Sequence, residues 1–411
     1  MNKLSKFALL HLLCLPLTGA LAQGNPQKFP WPEGKRMALS LSFDDARKTN
    51  VRQGTDLFDK YGVQATFYVV PSNVKPDLEL WKKAVKNGHE MGNHSIVHPC
   101  SGNFVWSRER ALEMYTIDKM RAELTEANRQ IKELLGVTPT TYAYPCGITT
   151  IGRGKNAQSF VPLIADMFVA GRRWLDEAPV DPNYCDMALL TGVEMDGKDF
   201  EQLLPMIRQA EKAGQWLVLA GHETADSGNQ TSRLAMLEKL IQYAKDPKNG
   251  IWIAPIGTIA QYVKEKRDAG LINTPQTLYA AAGKPLTLEA RYGTAVGPKI
   301  EYMPEWKAFG WFTGKDKVEW SLEIPQTSQY DVVLDWSVSD EEAGKNFVLE
   351  TNKKLLSGKV EKSGSWETFK EKKIGRIKLE KGRHQLAFRS EEPFEKGALL
   401  DLRTIKLIPV K

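Results

Sequence analysis

The chain has 411 residues, 42% of them hydrophobic and 26% charged, which excludes a disordered or fibrous chain and leaves room for two globular domains. Its formal charge of +6 is modest and its 56 basic residues are scattered among 50 acidic ones, so nothing predicts a nucleic-acid groove.

At the start of the chain, Lys3 and Lys6 precede an apolar run at 7–17 that is too short to span a bilayer. Ala20-Leu21-Ala22 then places small residues before Gln23. The pattern predicts a signal peptide over 1–22, export to the periplasm or beyond, and a mature chain with no membrane span. Losing that segment removes Cys14 and leaves Cys100, Cys146 and Cys185, enough for one bridge. A Cys100–Cys146 bridge and a pair of small buried thiols are equally open readings.

From 36 to 268 strand-like and helix-like segments alternate. Residues 37–43 read as a strand that runs into Asp44-Asp45, and 65–70 as a second strand stopped by Pro71. Helices are predicted at 78–86 and over a long stretch at 108–135, ended by Gly136. Strands follow at 140–144, 167–170, 216–220 and 251–256, with helices at 200–213, 232–244 and 259–267. This order predicts an α/β fold with a mostly parallel sheet, a distorted or incomplete (β/α) barrel. Asp44 and Asp45, Pro145-Cys146-Gly147, and His222 each follow a predicted strand, so three strand ends point to one face.

His94 and His98, four apart, are predicted to share one side of a helical turn, where both rings can reach one metal. With an aspartate they make a three-ligand set suited to a borderline divalent cation and leave a position open for water. The remaining carboxylate is free to take a proton, which predicts metal-assisted hydrolysis. His89, offset from the pair, is predicted to be structural.

These segments resemble the polysaccharide deacetylase family, also called NodB-homology or carbohydrate esterase family four, over about residues 35–265. Ser42-Phe43-Asp44-Asp45-Ala46 is similar to the family's Thr-Phe-Asp-Asp-Gly. His94-Ser95-Ile96-Val97-His98 is similar to His-Ser/Thr-x-x-His, Pro145-Cys146-Gly147 to Pro-Tyr-Gly, and 217–222 to the apolar strand that ends in histidine. The resemblance implies Asp45, His94 and His98 as metal ligands, Asp44 as general base, and His222 as general acid. It implies the Cys146 backbone N–H as an oxyanion donor, a role that survives a changed side chain. The implied cofactor is Zn, with Co, Ni or Mn also accepted by this ligand set, and the implied partner is an acetylated poly- or oligosaccharide.

Three departures stand out. Ala46 replaces a glycine. The arginine that opens the third motif is absent around Thr140 and Thr141, with Arg172 or Arg173 as substitutes. The family's Asp-with-Trp motif has no clean match, with Trp174 and Asp176 as candidates.

Residues 269–283 read as a linker, and 284–411 as short alternating strands without helices, among them 318–324, 330–336, 347–351, 374–379, 384–389 and 404–408. They predict an antiparallel β-sandwich, and Glu319-Trp320, Tyr330-Asp331-Val332, Gly364-Ser365-Trp366 and 379–386 resemble the jelly-roll-like, carbohydrate-binding-like sandwiches appended to secreted glycoside hydrolases and sulfatases. Of its tryptophans, Trp306, Trp311, Trp320, Trp336 and Trp366, any that are exposed would stack on sugars, and the others would be core. The function predicted for the whole is a secreted metal-dependent carbohydrate deacetylase, residues 23–268, that releases acetate from N-acetyl groups. An O-acetyl esterase and an inactive glycan-binding protein are the alternatives.

Overall fold

A computed structural model describes residues 28–410; the predicted signal peptide and Cys14 lie outside them. Contacts divide the described chain into two units, 28–274 and 275–410. Thr277–Tyr279, inside the segment read as a linker, pairs as a strand in the second unit.

The first unit is built on eight parallel strands: β1 (Met37–Asp44), β2 (Thr66–Val69), β3 (Glu90–Asn93), β4 (Thr141–Ala143), β5 (Ala170–Arg172), β6 (Val193–Glu194), β7 (Trp216–Gly221) and β8 (Ile251–Ile253). Their order is β5-β4-β3-β2-β1-β7-β6, with β8 beside the first half of β1. Every residue of β1 and β7 is buried, as expected of a parallel sheet covered by helices on one side and filled by side chains on the other. The sheet curls. Arg172 at the end of β5 bridges to Leu190, and Val193–Glu194, just downstream, pairs with β7. Residues 190–194 thus pair with both sides, and the result is the predicted incomplete barrel.

The covering helices show why they form where they do. The longest, α1 (Ile117–Leu135), buries Met120, Leu124, Ala127, Ile131 and Leu135, a stripe at spacings of three and four. The Thr116 side chain accepts from Lys119 N at one end, and Gly136 takes the left-handed conformation (φ 76°) at the other. Each large apolar side chain in that stripe contributes roughly 1.5–3 kcal/mol by burial, a contribution that Leu124→Ala, in the fully buried part of the stripe, would remove. Residues 105–110 and 112–114, expected in part to extend this helix, are separate 3₁₀ turns, because the cap at Thr116 starts it later. The strand expected at 167–170 is displaced in the same way. Met167 ends the helix Val161–Met167, and the strand begins at Ala170.

The second unit packs two sheets over a core that includes Trp320, Trp336, Phe347, Phe388, Leu402, Ile405 and Leu407. One sheet orders Thr277–Tyr279, Lys317–Ile324, Gly382–Ser390, Asn346–Glu350 and Lys354–Lys359, with Thr294–Val296 beside Lys317–Ile324. The other orders Glu301–Met303, Ala308–Gly310, Asp401–Pro409, Ser328–Ser337 and Lys370–Leu379, with Leu286–Glu289 beside Asp401–Pro409. The strands of both sheets pair antiparallel, except that Thr277–Tyr279 runs parallel to Lys317–Ile324. In Lys317–Ile324 buried and half-buried residues alternate, the period of a strand with one face on a core. Trp320 and Trp336 are core residues, whereas Trp306 and Trp311 are exposed. No helix among the described residues is long and apolar enough to cross a membrane.

Candidate active site

The carboxyl ends of six parallel strands deliver the site. β1 ends on Asp44, with Asp45 next; β3 leads into His94, β4 into Pro145-Cys146, and β7 into His222. β5 ends on Arg172, and β6 is followed two residues later by Asp196. A cleft of about 740 Å³ lies over them, lined by Asp44, Asp45, His94, His98, Cys146, Trp174 and His222 among others.

Asp45, His94 and His98 converge. Asp45 Oδ1 lies 3.4 Å from His94 Nε2 and 3.5 Å from His98 Nε2. The histidines do not share a helical turn. They sit on a loop in which Ser95 (φ 65°) and His98 (φ 49°) are left-handed, Ser95 N donates to Asn93 Oδ1, and His98 N donates to Ser95 Oγ. Local side-chain acceptors fold this loop in place of a helical ladder.

The donor set fits a divalent cation. His94 Nδ1 is 2.9 Å from the Ala143 carbonyl, which only accepts, so the proton is on Nδ1 and the Nε2 lone pair is free. Burial, then the neighbouring His94, pushes the His98 ring down to about 4, leaving it neutral at pH 7. Burial opposes the charge of Asp45, yet His94, His98 and Arg47 hold its carboxyl well below the usual range. Arg47, which sequence reasoning did not single out, takes Asp45 Oδ2 with Nε at 3.0 Å and Nη2 at 2.8 Å, leaving Oδ1 to the histidines.

Asp44 is held apart from this set. The fully buried Arg172 donates to Asp44 Oδ1, and its guanidinium lies 5.0 Å from the Tyr68 ring centroid. Burial works to raise the Asp44 carboxyl, but Arg172, His94 and His222 outweigh it and hold the group below its ordinary value. Of the two arginines offered as substitutes for the missing motif arginine, Arg172 is the one that contacts Asp44, from the end of β5. Arg173 instead pairs with Asp176, and Asp176 also accepts from Gly192 N at 3.0 Å. Asp176 does not line the cleft.

On the other side, His222 Nδ1 is 2.7 Å from Asp196 Oδ2, while Asp196 Oδ1 accepts from His222 N and Ser232 Oγ. Gly221 permits this approach, since a Cβ there would meet Asp196 Oδ1 at 2.6 Å. Burial would lower the His222 pKa, but Asp196, Asp44 and Asp45 raise it above the ordinary histidine value. The Trp174 ring meets His222 edge to face at 4.8 Å. Asp196 was not among the residues that sequence reasoning singled out; its sequence signal is no more than a carboxylate just past a short strand. His89 accepts from Ala65 N at 3.1 Å and faces Asp59, a structural role.

Cys146 (φ 54°) lines the cleft and forms a disulfide with Cys100. The bridge links the loop that carries His98 to the loop that carries Cys146. Ala46 keeps the left-handed conformation (φ 54°) that the expected glycine would take freely.

Residues 32–157 match the family model for polysaccharide deacetylase. The first unit carries a polysaccharide deacetylase domain. Asp44, Asp45, His94, His98 and Cys146 of that domain fall inside the match, and Arg172, Asp196 and His222 follow it. The chain is 28% identical over 110 residues to the peptidoglycan-N-acetylglucosamine deacetylase PgdA of Listeria monocytogenes, covering 26% of this chain and 21% of the relative. It is 22% identical over 278 residues to a gellan lyase of Bacillus sp, covering 61% of this chain and 10% of the relative. In these matches the chain spans less than half the length of its curated relatives. Among solved structures, the peptidoglycan deacetylase PdaC from Bacillus subtilis is 20% identical, with 58% of this chain and 96% of that chain covered and a TM-score of 0.37.

Proposed function

We propose that the deacetylase domain hydrolyses N-acetyl groups of a glycan, releasing acetate and leaving a free amine. The observation that carries this reading is the pairing of two differently prepared proton-transfer groups, Asp44 with Arg172 and His222 with Asp196, around one three-ligand donor set. Asp45, His94 and His98 would hold a divalent cation, with Zn preferred and Co, Ni or Mn accepted. When bound, such an ion polarises the acetyl carbonyl and acidifies water.

The chain's own groups do the rest. Asp44, kept ionised by Arg172, takes the proton of the attacking water. The Cys146 N–H donates to the developing oxyanion. His222, kept protonated by Asp196, gives its proton to the departing sugar nitrogen, so the amine leaves neutral. The absent third-motif arginine is the main support for an inactive binding protein, and Arg172 on Asp44 weakens it. Export is supported by the basic and apolar N-terminal pattern before Gln23 and by the Cys100–Cys146 bridge, a bond of oxidising compartments.

Acetate release from a panel of N- and O-acetylated glycans by the Zn-loaded protein tests the reading. Release from N-acetylated members supports it; release from O-acetylated members alone makes the chain an esterase. Glycan binding with no acetate from any member would favour the inactive binding protein. A His94→Ala, His98→Ala double variant is expected to lose stoichiometric metal, and retained metal would refute the ligand assignment.

A further inference from the structure

A second cleft, of about 660 Å³, opens in the second unit among Met303, Trp311, Glu341, Trp366 and Asp401. Trp311 is 66% exposed and has a left-handed backbone (φ 56°). That conformation is strained for a bulky residue, and an exposed indole recovers little of the cost by burial. Strain of this kind concentrates at ligand sites. Trp366 supplies a second, half-buried indole.

Asp401 begins the strand Asp401–Pro409 and lies against Gly310, where an added Cβ would meet its Oδ1 at 2.9 Å. Burial alone pushes its carboxyl up to about 7, with no hydrogen bond or cation acting to lower it. A carboxylate set in a cleft without a partner is satisfied at low cost by a ligand that brings a cation or donors. Of the other charges on the cleft, Glu342 is taken by Lys345, Glu341 is exposed, and Lys299 is the lining cation. Flat apolar rings beside unsatisfied carboxylates complement a pyranose that stacks its C–H face and carries an ammonium. An N-acetylated sugar would stack equally well but would leave Asp401 without a counter-charge.

We propose that this cleft binds a protonated amino sugar within a glycan chain, with Trp311 as the stacking platform and Asp401 as the counter-ion of the ammonium. The cleft's chemistry stands independently of the catalytic reading. Its link to function rests on that reading, because N-deacetylation leaves an amino sugar of this class.

Calorimetry on the metal-free full chain at pH 7, with hexamers of glucosamine and of N-acetylglucosamine, tests the proposal. The glucosamine hexamer is expected to bind about tenfold more tightly, and Trp311→Ala to weaken it by at least about tenfold. Asp401→Asn is expected to bring the two affinities within about threefold of each other. Both variants should keep wild-type acetate release from short soluble substrates. Equal binding of the two hexamers by the wild type, or undiminished glucosamine binding by Trp311→Ala, would overturn the proposal. If no glycan yields acetate while the glucosamine preference holds, the deacetylase reading falls and the cleft stands.

Discussion

Two neighbouring aspartates have opposite surroundings. Asp45 faces two imidazoles and Arg47, while Asp44 faces the buried guanidinium of Arg172. If Arg172 sets the base, Arg172→Gln raises the Asp44 pKa, so the acid limb of kcat/KM moves to higher pH. Rate profiles should also show kcat lower by about 100-fold, and the variant loses about 3–5 kcal/mol of stability because a buried charge is stranded. An unmoved acid limb would contradict the assignment. For His222 the sign is reversed. Asp196→Asn removes the group that holds its proton, the pKa falls, and the alkaline limb moves to lower pH. Asp44, Asp45, His94, His98 and His222 were legible as candidates because each lies in a short motif, and the structure brings them to one cleft. Asp196, Arg47 and the choice between Arg172 and Arg173 were not, because each is set by a fold contact with a residue distant in sequence or by a local turn.

At the scale of elements, what reads well is what repeats. The stripe of α1 and the alternation of Lys317–Ile324 extend over enough residues to declare their period. The three-residue strands Thr294–Val296 and Glu301–Met303 are too short to do so. The loop of His94 and His98 has the spacing of a helix, but Asn93 and Ser95 capture its backbone donors. Its far end is tied by Cys100–Cys146, so the bridge holds the loop of His98 and the loop of Cys146 together. A Cys100→Ser, Cys146→Ser variant is therefore expected to bind metal about 10-fold more weakly by competition with a chelator. Unchanged affinity would show that the loop's own hydrogen bonds suffice. Relieving the left-handed alanine with Ala46→Gly should add about 0.5–1 kcal/mol in denaturant unfolding.

Across the whole molecule, the parallel order brings distant positions to one end of a sheet: Asp44, His94, Cys146, Arg172, Asp196 and His222 span most of the first unit in sequence and meet at one cleft. The barrel class was legible from the alternation of strands and helices. The closure through Leu190 was not, because a single bridge leaves no periodic trace. The second unit has its own core and its own cleft, the one we propose takes an amino sugar. The function proposed for the first unit turns on Asp44 acting as the base beside a metal held by its neighbours. The most direct measurement is acetate release by Zn-loaded Asp44→Asn alongside its metal content. Stoichiometric metal with activity lower by at least about 10³-fold is the expected result. Near wild-type release with metal retained would contradict it.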